Sequence, residues 1–199
     1  MSATEIDLHR ALASRGALLE GHFRLSSGRH SDRFVQKFRV LEDPVLLESV
    51  ARAIAEPFSS LEPTVVVGAA VGGILLAYEV ARHLGTKAIF VEKENGVPVL
   101  RRGFALTADD RALVVEDVVT TGLSIGETIA VVRARGSAIV GLGVIVSRAP
   151  TIAALRAFAS DDGLPVNVLL DLPLESYDES ECPMCRSGAP IADPGSRRS

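Results

Sequence analysis

From Pro63 onward the chain alternates short β-branched apolar runs with longer segments of helical periodicity. TVVVG (64–68), KAIFVE (87–92), RALVVEDV (111–118), SAIVGLGVIVS (137–147) and PVNVLLDL (165–172) read as strands. GGILLAYEVARHLG (72–85), SIGETIAVVRARG (124–136) and TIAALRAFAS (151–160) read as helices, the first two stopped by Gly85 and Gly136. Strands that are apolar throughout, instead of alternating, are buried on both faces, and the helices between them supply the crossovers. The pattern predicts an α/β fold, a mostly parallel five-stranded sheet flanked by helices. Such sheets take ligands beyond the carboxyl ends of their strands. Those ends fall at Gly68, Glu92, Glu116–Asp117 and Ser147–Arg148, each carrying a glycine, a charge or a hydroxyl.

The N-terminal part is patterned differently. MSATEIDLHRALASRG reads as an amphipathic helix, with Leu8, Leu12 and Leu18 near helical spacing, and a further helix is expected near 44–57. We expect residues 1–62 to form a small hood over the sheet edge and 63–177 the core sheet. Together they make one domain over 1–177, followed by an irregular Pro/Ser/Gly/Arg-rich tail at 178–199 with room for two short turns. Between Lys93 and Asp110 runs a long connection, KENGVPVLRRGFALTADD, in which Asn95-Gly96 signals a hairpin. Long connections of this kind often cover a site. Gly141-Leu142-Gly143 resembles part of a dinucleotide fingerprint but sits inside a strand without a third glycine, so it reads as close packing.

Composition narrows the function. Of 199 residues, 47% are hydrophobic and 23% charged, with a formal net charge of -4. That balance argues against a broad nucleic-acid-binding surface while leaving room for a small basic pocket. Apolar runs are strand-sized, so no membrane span is expected, and the N-terminus lacks the basic start and apolar run of a secretory signal. The two cysteines, Cys182 and Cys185, both lie in the tail, which suits a reducing cytoplasm. A single CxxC is half a zinc site, and it reads as a reduced turn with no metal. His9, His22, His30 and His83 show no mutual spacing that suggests ligation, so no protein metal site is expected.

Chemistry concentrates at one point. The strand ending Val114-Val115 runs into two adjacent carboxylates, Glu116 and Asp117, then Val118-Val119-Thr120-Thr121-Gly122-Leu123-Ser124 and a helix. Free backbone N–H groups and the helix dipole favour an anion at such a helix start. Three hydroxyls add donors, and a glycine allows close approach. The string is a phosphate cradle without the lysine of a Walker loop. The carboxylates would repel phosphate but accept hydrogen bonds from vicinal hydroxyls. A ribose 5-phosphate satisfies both halves. An isolated Glu-Asp pair would equally read as a solvated strand end capping the next helix.

VVEDVVTTG resembles the signature of the type I phosphoribosyltransferases, whose substrate is phosphoribosyl pyrophosphate (PRPP). Surrounding stretches are similar to the orotate branch of that family: FRLSSGRHSDRF (23–34), VGAAVGGILLAYEVARHLG (67–85), IVSRAP (145–150) and CPMCRSGAPIADPGSR (182–197). The resemblance implies that Glu116 and Asp117 hold the ribose hydroxyls, with Asp117 and Lys93 the catalytic pair. Val118 and Val119 would belong to the same PRPP-binding run, and Thr120, Thr121, Gly122, Leu123 and Ser124 would take the 5′-phosphate. Ala69, Ala70, Val71, Gly72 and Gly73 would wrap pyrophosphate with backbone N–H groups. Arg148 would pair with the anionic pyrimidine, Phe34 would cover its ring, and Thr120 would lie near orotate. Mg²⁺ would accompany PRPP, and the enzyme would be a cytoplasmic homodimer of pyrimidine synthesis.

Two departures from the family pattern stand out. The 93–110 loop offers only Lys93, Arg101 and Arg102 as cations and has no histidine, and Ser26-Ser27 occupy a place where a lysine is common. On the residues alone, Gly72-Gly73 could be a tight helix start, Arg148 a surface arginine, and Lys93 an exposed ion pair with Glu92 or Glu94. A purine phosphoribosyltransferase and a non-catalytic PRPP-binding regulator are the alternative functions.

Overall fold

A computed structural model describes residues 8–25, 27–148, 155, 159, 163–172 and 174–194. The chain divides into two compact units, one made of both chain ends (1–40 and 173–199) and one of the middle (41–172).

The middle unit holds the predicted sheet. Its strands are β3 (Val65–Ala69), β4 (Lys87–Glu94), β5 (Val97–Val99), β6 (Arg111–Val119), β7 (Ala138–Arg148) and β8 (Val166–Leu172). They lie in the order β5-β4-β3-β6-β7-β8. The five expected strands are mutually parallel, and β5 is a sixth, antiparallel to β4. It is the second arm of the hairpin expected at Asn95-Gly96, though not counted among the five sheet strands; Val-Pro-Val is short and carries a proline, which confines it to an edge. The turn joining it to β4 is the one the sequence signalled: Asn95 and Gly96 have φ of 51° and 82°, as a tight two-residue hairpin requires.

After the single turn α2 (Phe38–Leu41), helix α3 (Pro44–Ala55) starts on Asp43, whose carboxylate accepts from the N–H groups of Val45 and Leu46 at 3.1 Å each, with Pro44 fixing the first turn. Helix α4 (Gly72–Leu84) ends at Gly85 in the left-handed conformation, φ 66°. Helix α5 (Leu123–Ala134) buries Ile125, Ile129 and Val132 at helical spacing against Val65, Val114 and Leu142 of the sheet. Each such side chain contributes about 1.5–3 kcal/mol by leaving water. Its first residue is Leu123, not Ser124, one position earlier than the sequence suggested. The helix expected at 151–160 lies largely outside the described residues; Leu155 and Ala159 are helical and buried.

Gly141 and Gly143 of β7 are packing positions, as read. A Cβ at Gly141 would lie 2.3 Å from the Phe58 ring, and one at Gly143 would lie 2.6 Å from Ile54 Cγ2. Residues of α3 and of the following 3₁₀ turn (Glu56–Leu61) therefore sit directly on the strand backbone.

The other unit contains α1 (Leu8–Ser14) and an antiparallel hairpin, β1 (Leu18–Arg24) with β2 (His30–Val35). Leu8 and Leu12 are buried, as the amphipathic pattern implied, but Leu18 begins β1, because Gly16 (φ 63°) has already ended the helix. The C-terminal segment carries two short turns, a 3₁₀ turn at Glu179–Glu181 and a single helical turn at Pro183–Arg186. It bonds along the hairpin: His30 and Tyr177 exchange N–H···O bonds of 2.8 Å, and Ala192 bridges to His22 and Arg24.

Candidate active site

The chain leaves β3 towards β4 on one side and returns to place β6 on the other. The order reverses between β3 and β6, and a doubly wound sheet opens its crevice at the carboxyl ends of such neighbours. The segments that follow those two strands are Ala69–Gly73 and the run from Glu116 to Ser124.

The two meet in contact. A Cβ built on Gly72 would lie 1.7 Å from Asp117 Oδ2, so only glycine fits beside that carboxylate. Gly68 is equally constrained, since its Cβ would lie 2.2 Å from the Gly73 carbonyl oxygen. Ala70 donates its N–H to the Val91 carbonyl at 2.8 Å, which fixes the loop against β4. The Ala70–Val71 peptide bond is cis.

Both carboxylates are buried, Glu116 at 5% and Asp117 at 1% exposure. Burying two charged groups is costly unless hydrogen bonds satisfy them. Asp117 Oδ1 accepts from the Val118 N–H at 2.6 Å, and Glu116 Oε2 accepts from the Ser124 hydroxyl. Ser124 therefore ties the acidic pair to the helix start. Gly122 precedes the helix with φ 78°, a conformation that suits glycine, and its carbonyl accepts the Gly126 N–H at 2.9 Å.

A cleft of about 190 Å³ opens here, lined by Lys93, Glu116, Glu127 and the whole run Val118–Ser124. Lys93, near the end of β4, reaches Glu127 Oε1 at 2.9 Å. Glu127 was missed in the sequence, although Ser124-x-x-Glu127 spacing places it one turn along α5 from the cradle. Arg148 stands at the carboxyl end of β7, half-buried, one residue beyond the Val119–Ser147 register pair. Phe34 belongs to the other unit, on β2, where its ring lies 6.0 Å from that of Phe23. The remaining loop cations are paired locally, Arg101 with Glu94 at 2.9 Å and Arg102 with Glu92 at 3.0 Å.

One group of residues assigned no role also comes together. His22 and His30, set aside because they share no ligand spacing, meet Cys182 and Cys185, with one ligand atom of each within 4.8 Å of all the others. Nothing local in the sequence shows this, because 160 positions separate His22 from Cys182.

A glycine-preceded helix start, two buried carboxylates and a glycine-lined loop thus meet at one sheet switch point, the arrangement of an α/β ligand site. Residues 39–160 match the family model described as the phosphoribosyl transferase domain. The chain is 45% identical over 183 residues to the orotate phosphoribosyltransferase of Pelotomaculum thermopropionicum, covering 92% of this chain and 93% of that one. It is 44% identical over 179 residues to that of Caldanaerobacter subterraneus, covering 90% of each. The crystal structure of orotate phosphoribosyltransferase from Aeropyrum pernix superposes with a TM-score of 0.67 at 29% identity, over 83% of this chain and 93% of that one. The chain belongs to the phosphoribosyltransferase family, in its orotate phosphoribosyltransferase branch. It is an enzyme, and no described helix is long and apolar enough to cross a membrane.

Proposed function

We propose that this chain transfers the ribose 5-phosphate of PRPP to orotate, giving orotidine 5′-monophosphate and pyrophosphate in the cytoplasmic synthesis of pyrimidines. The observation that carries the reading is the contact between Gly72 and Asp117. It sets a loop for pyrophosphate against a carboxylate for the ribose, with the 5′-phosphate cradle next along the chain.

Thr120 to Ser124 hold the 5′-phosphate, while Glu116 and Asp117 accept from the ribose hydroxyls, with Val118 and Val119 as backbone between them. Ala69 to Gly73 surround the pyrophosphate. The C1′–oxygen bond to pyrophosphate breaks as the orotate nitrogen attacks from the opposite face, so positive charge develops on the ribose. Buried carboxylates nearby favour that charge, and positioning supplies much of the rest. Lys93 turns from Glu127 to the departing pyrophosphate. Arg148 pairs with the orotate carboxylate, beside Thr120. The oxygen-only donors Glu116 and Asp117 fit a hard cation. Mg²⁺, held largely by substrate phosphates, neutralises the leaving group when bound.

The enzyme acts as a homodimer. Val71, Leu75 and Tyr78 are 70%, 47% and 66% exposed, an apolar stripe at helical spacing along α4 and the loop before it. A second copy covers it, and light scattering on the purified chain reads the mass directly.

Purified chain with PRPP, Mg²⁺ and a panel of bases tests the activity. Orotate should disappear in step with pyrophosphate release. Consumption of adenine, guanine or hypoxanthine in its place sinks the orotate assignment, and PRPP binding with no base consumed sinks turnover.

A further inference from the structure

The cluster of His22, His30, Cys182 and Cys185 lies wholly within the unit built from the two chain ends. His22 sits on β1, His30 starts β2, Cys182 immediately precedes the short helix Pro183–Arg186 and Cys185 lies within it. Three of the four are buried, with Cys182 at 0% exposure.

Their ligand atoms are arranged around a common centre. His22 Nε2 lies 3.0 Å from His30 Nδ1 and 3.6 Å from each sulfur, and His30 Nδ1 lies 3.2 Å from Cys185 Sγ. A tetrahedral zinc with ordinary Zn–N and Zn–S bonds sets its ligands about 3.3 Å apart for N···N and about 3.6 Å apart for N···S. These four edges match that polyhedron to within a few tenths of an ångström, and all six are no longer than 4.8 Å. The ring of His22 is held for the task. Its Nδ1 is 2.9 Å from the Ala189 carbonyl oxygen, which can only accept, so Nδ1 carries the proton and Nε2 keeps its lone pair. That is the outer-shell hydrogen bond that metal-bound histidines make.

We propose that His22, His30, Cys182 and Cys185 bind one zinc ion as a structural Cys₂His₂ site. Two thiolates and two imidazoles suit zinc among the common divalent metals. Four protein ligands close the coordination sphere and leave no position for a substrate, so the site is not catalytic. A two-iron cluster would divide the histidines and cysteines between separate irons, whereas these atoms surround one point. Binding releases the two thiol protons to solvent and forms two Zn–S and two Zn–N bonds. The ion joins the β1–β2 hairpin to the C-terminal segment, adding to the bridges at Phe23–Ala192 and His30–Tyr177 and to the bonds of Arg29 with Ser176 and Asp178 and of Ser31 with the Glu175 carbonyl. This inference is independent of the reaction assigned to the other unit.

Elemental analysis of untagged protein, purified without added metal, should find about one zinc per chain, and Cys182→Ser/Cys185→Ser should hold less than about a tenth of that. Since that variant could misfold, wild-type protein carries the second arm. Stripped with a chelator under reductant and titrated with Co²⁺, it should develop thiolate charge-transfer absorption and the strong ligand-field bands of tetrahedral cobalt, saturating at one ion. A thiol reagent should find both cysteines protected before stripping and reactive after it. Metal-free protein that gains no such spectrum, a Cys182–Cys185 disulfide in the mass spectrum, or iron with acid-labile sulfide would each overturn the proposal.

Discussion

Gly72→Ala separates the contact at the switch point from the fold that supports it. The new methyl would lie 1.7 Å from Asp117 Oδ2, 2.9 Å from Asp117 Cγ and 3.1 Å from Leu41 Cδ1. A carbon–oxygen contact needs about 3.3 Å, so the carboxylate must retreat by roughly 1.5 Å. Turning it away strains the 2.6 Å bond that Oδ1 accepts from Val118 N–H. A displacement of about 1 Å at a positioning group can cost about 100-fold in rate, equivalent to about 2.7 kcal/mol of transition-state stabilisation. Overpacking should cost the fold about 1–3 kcal/mol. Gly73→Ala is the control, because the nearest atoms to its Cβ are backbone, those of Gly68 at 3.3 Å and the Val115 carbonyl oxygen at 3.8 Å, and none is a carboxylate. Steady-state kinetics with PRPP and orotate, beside thermal melts, should show kcat/KM falling about 100-fold in Gly72→Ala and far less in Gly73→Ala. Because Gly72→Ala acts through Asp117, adding it to Asp117→Asn should cost little more than Asp117→Asn alone. Folded Gly72→Ala retaining activity within about threefold of wild type would refute the argument, as would full additivity in the double variant.

Three further outcomes follow from other contacts. Lys93→Ala removes the cleft's ammonium group and should lower kcat for orotidine 5′-monophosphate formation by about 10–100-fold, with the melting temperature little changed since the Lys93–Glu127 pair is half-exposed; an unchanged kcat would remove Lys93 from the mechanism. Asp110 is held at about 2, chiefly by its hydrogen bond from Lys87 and further by the Thr107 N–H and hydroxyl, against burial that raises it. Its folded value lies below the unfolded one, so its stabilisation is complete above about pH 4 and disappears as pH falls towards 2. With Lys87 half-exposed and screened, the contribution is about 1 kcal/mol, and denaturant melts of Asp110→Asn should lose that amount at pH 7 and converge with wild type in acid. Gly143→Ala should destabilise by about 1–3 kcal/mol through the Ile54 Cγ2 methyl, and should cost less in an Ile54→Ala background, where that methyl is gone; equal melting temperatures for Gly143→Ala and wild type would contradict the close packing read there.

The core sheet was legible because its strands are buried on both faces. Continuous apolar runs such as Ala112–Val115 and Leu142–Val146 leave few alternatives. The elements that escaped are those whose conformation depends on neighbours. Val97–Val99 joins the sheet only by pairing with the end of β4, and Leu18 leaves the helical pattern because Gly16 breaks it. The tail's polar composition hid its pairing with the hairpin, since backbone bonds such as Ala192 N–H to the His22 carbonyl leave no trace in side-chain pattern.

Legibility of chemistry follows the same division. The two grips on a ribose 5-phosphate were readable because strand, loop and helix deliver them in one continuous string, and local geometry converts spacing into position. From the residues alone the glycine facing Asp117 was readable as a tight helix start, because its reason is a contact made 45 positions away in the chain. His22 and His30 lie further still from that kind of reading. Each is an ordinary buried strand histidine, and Cys182-x-x-Cys185 is half a motif, until the two chain ends fold onto each other. A site assembled from both termini has no sequence spacing of its own. Its signal is the coincidence of two incomplete ligand pairs in one compact unit, with a carbonyl waiting behind one of the rings.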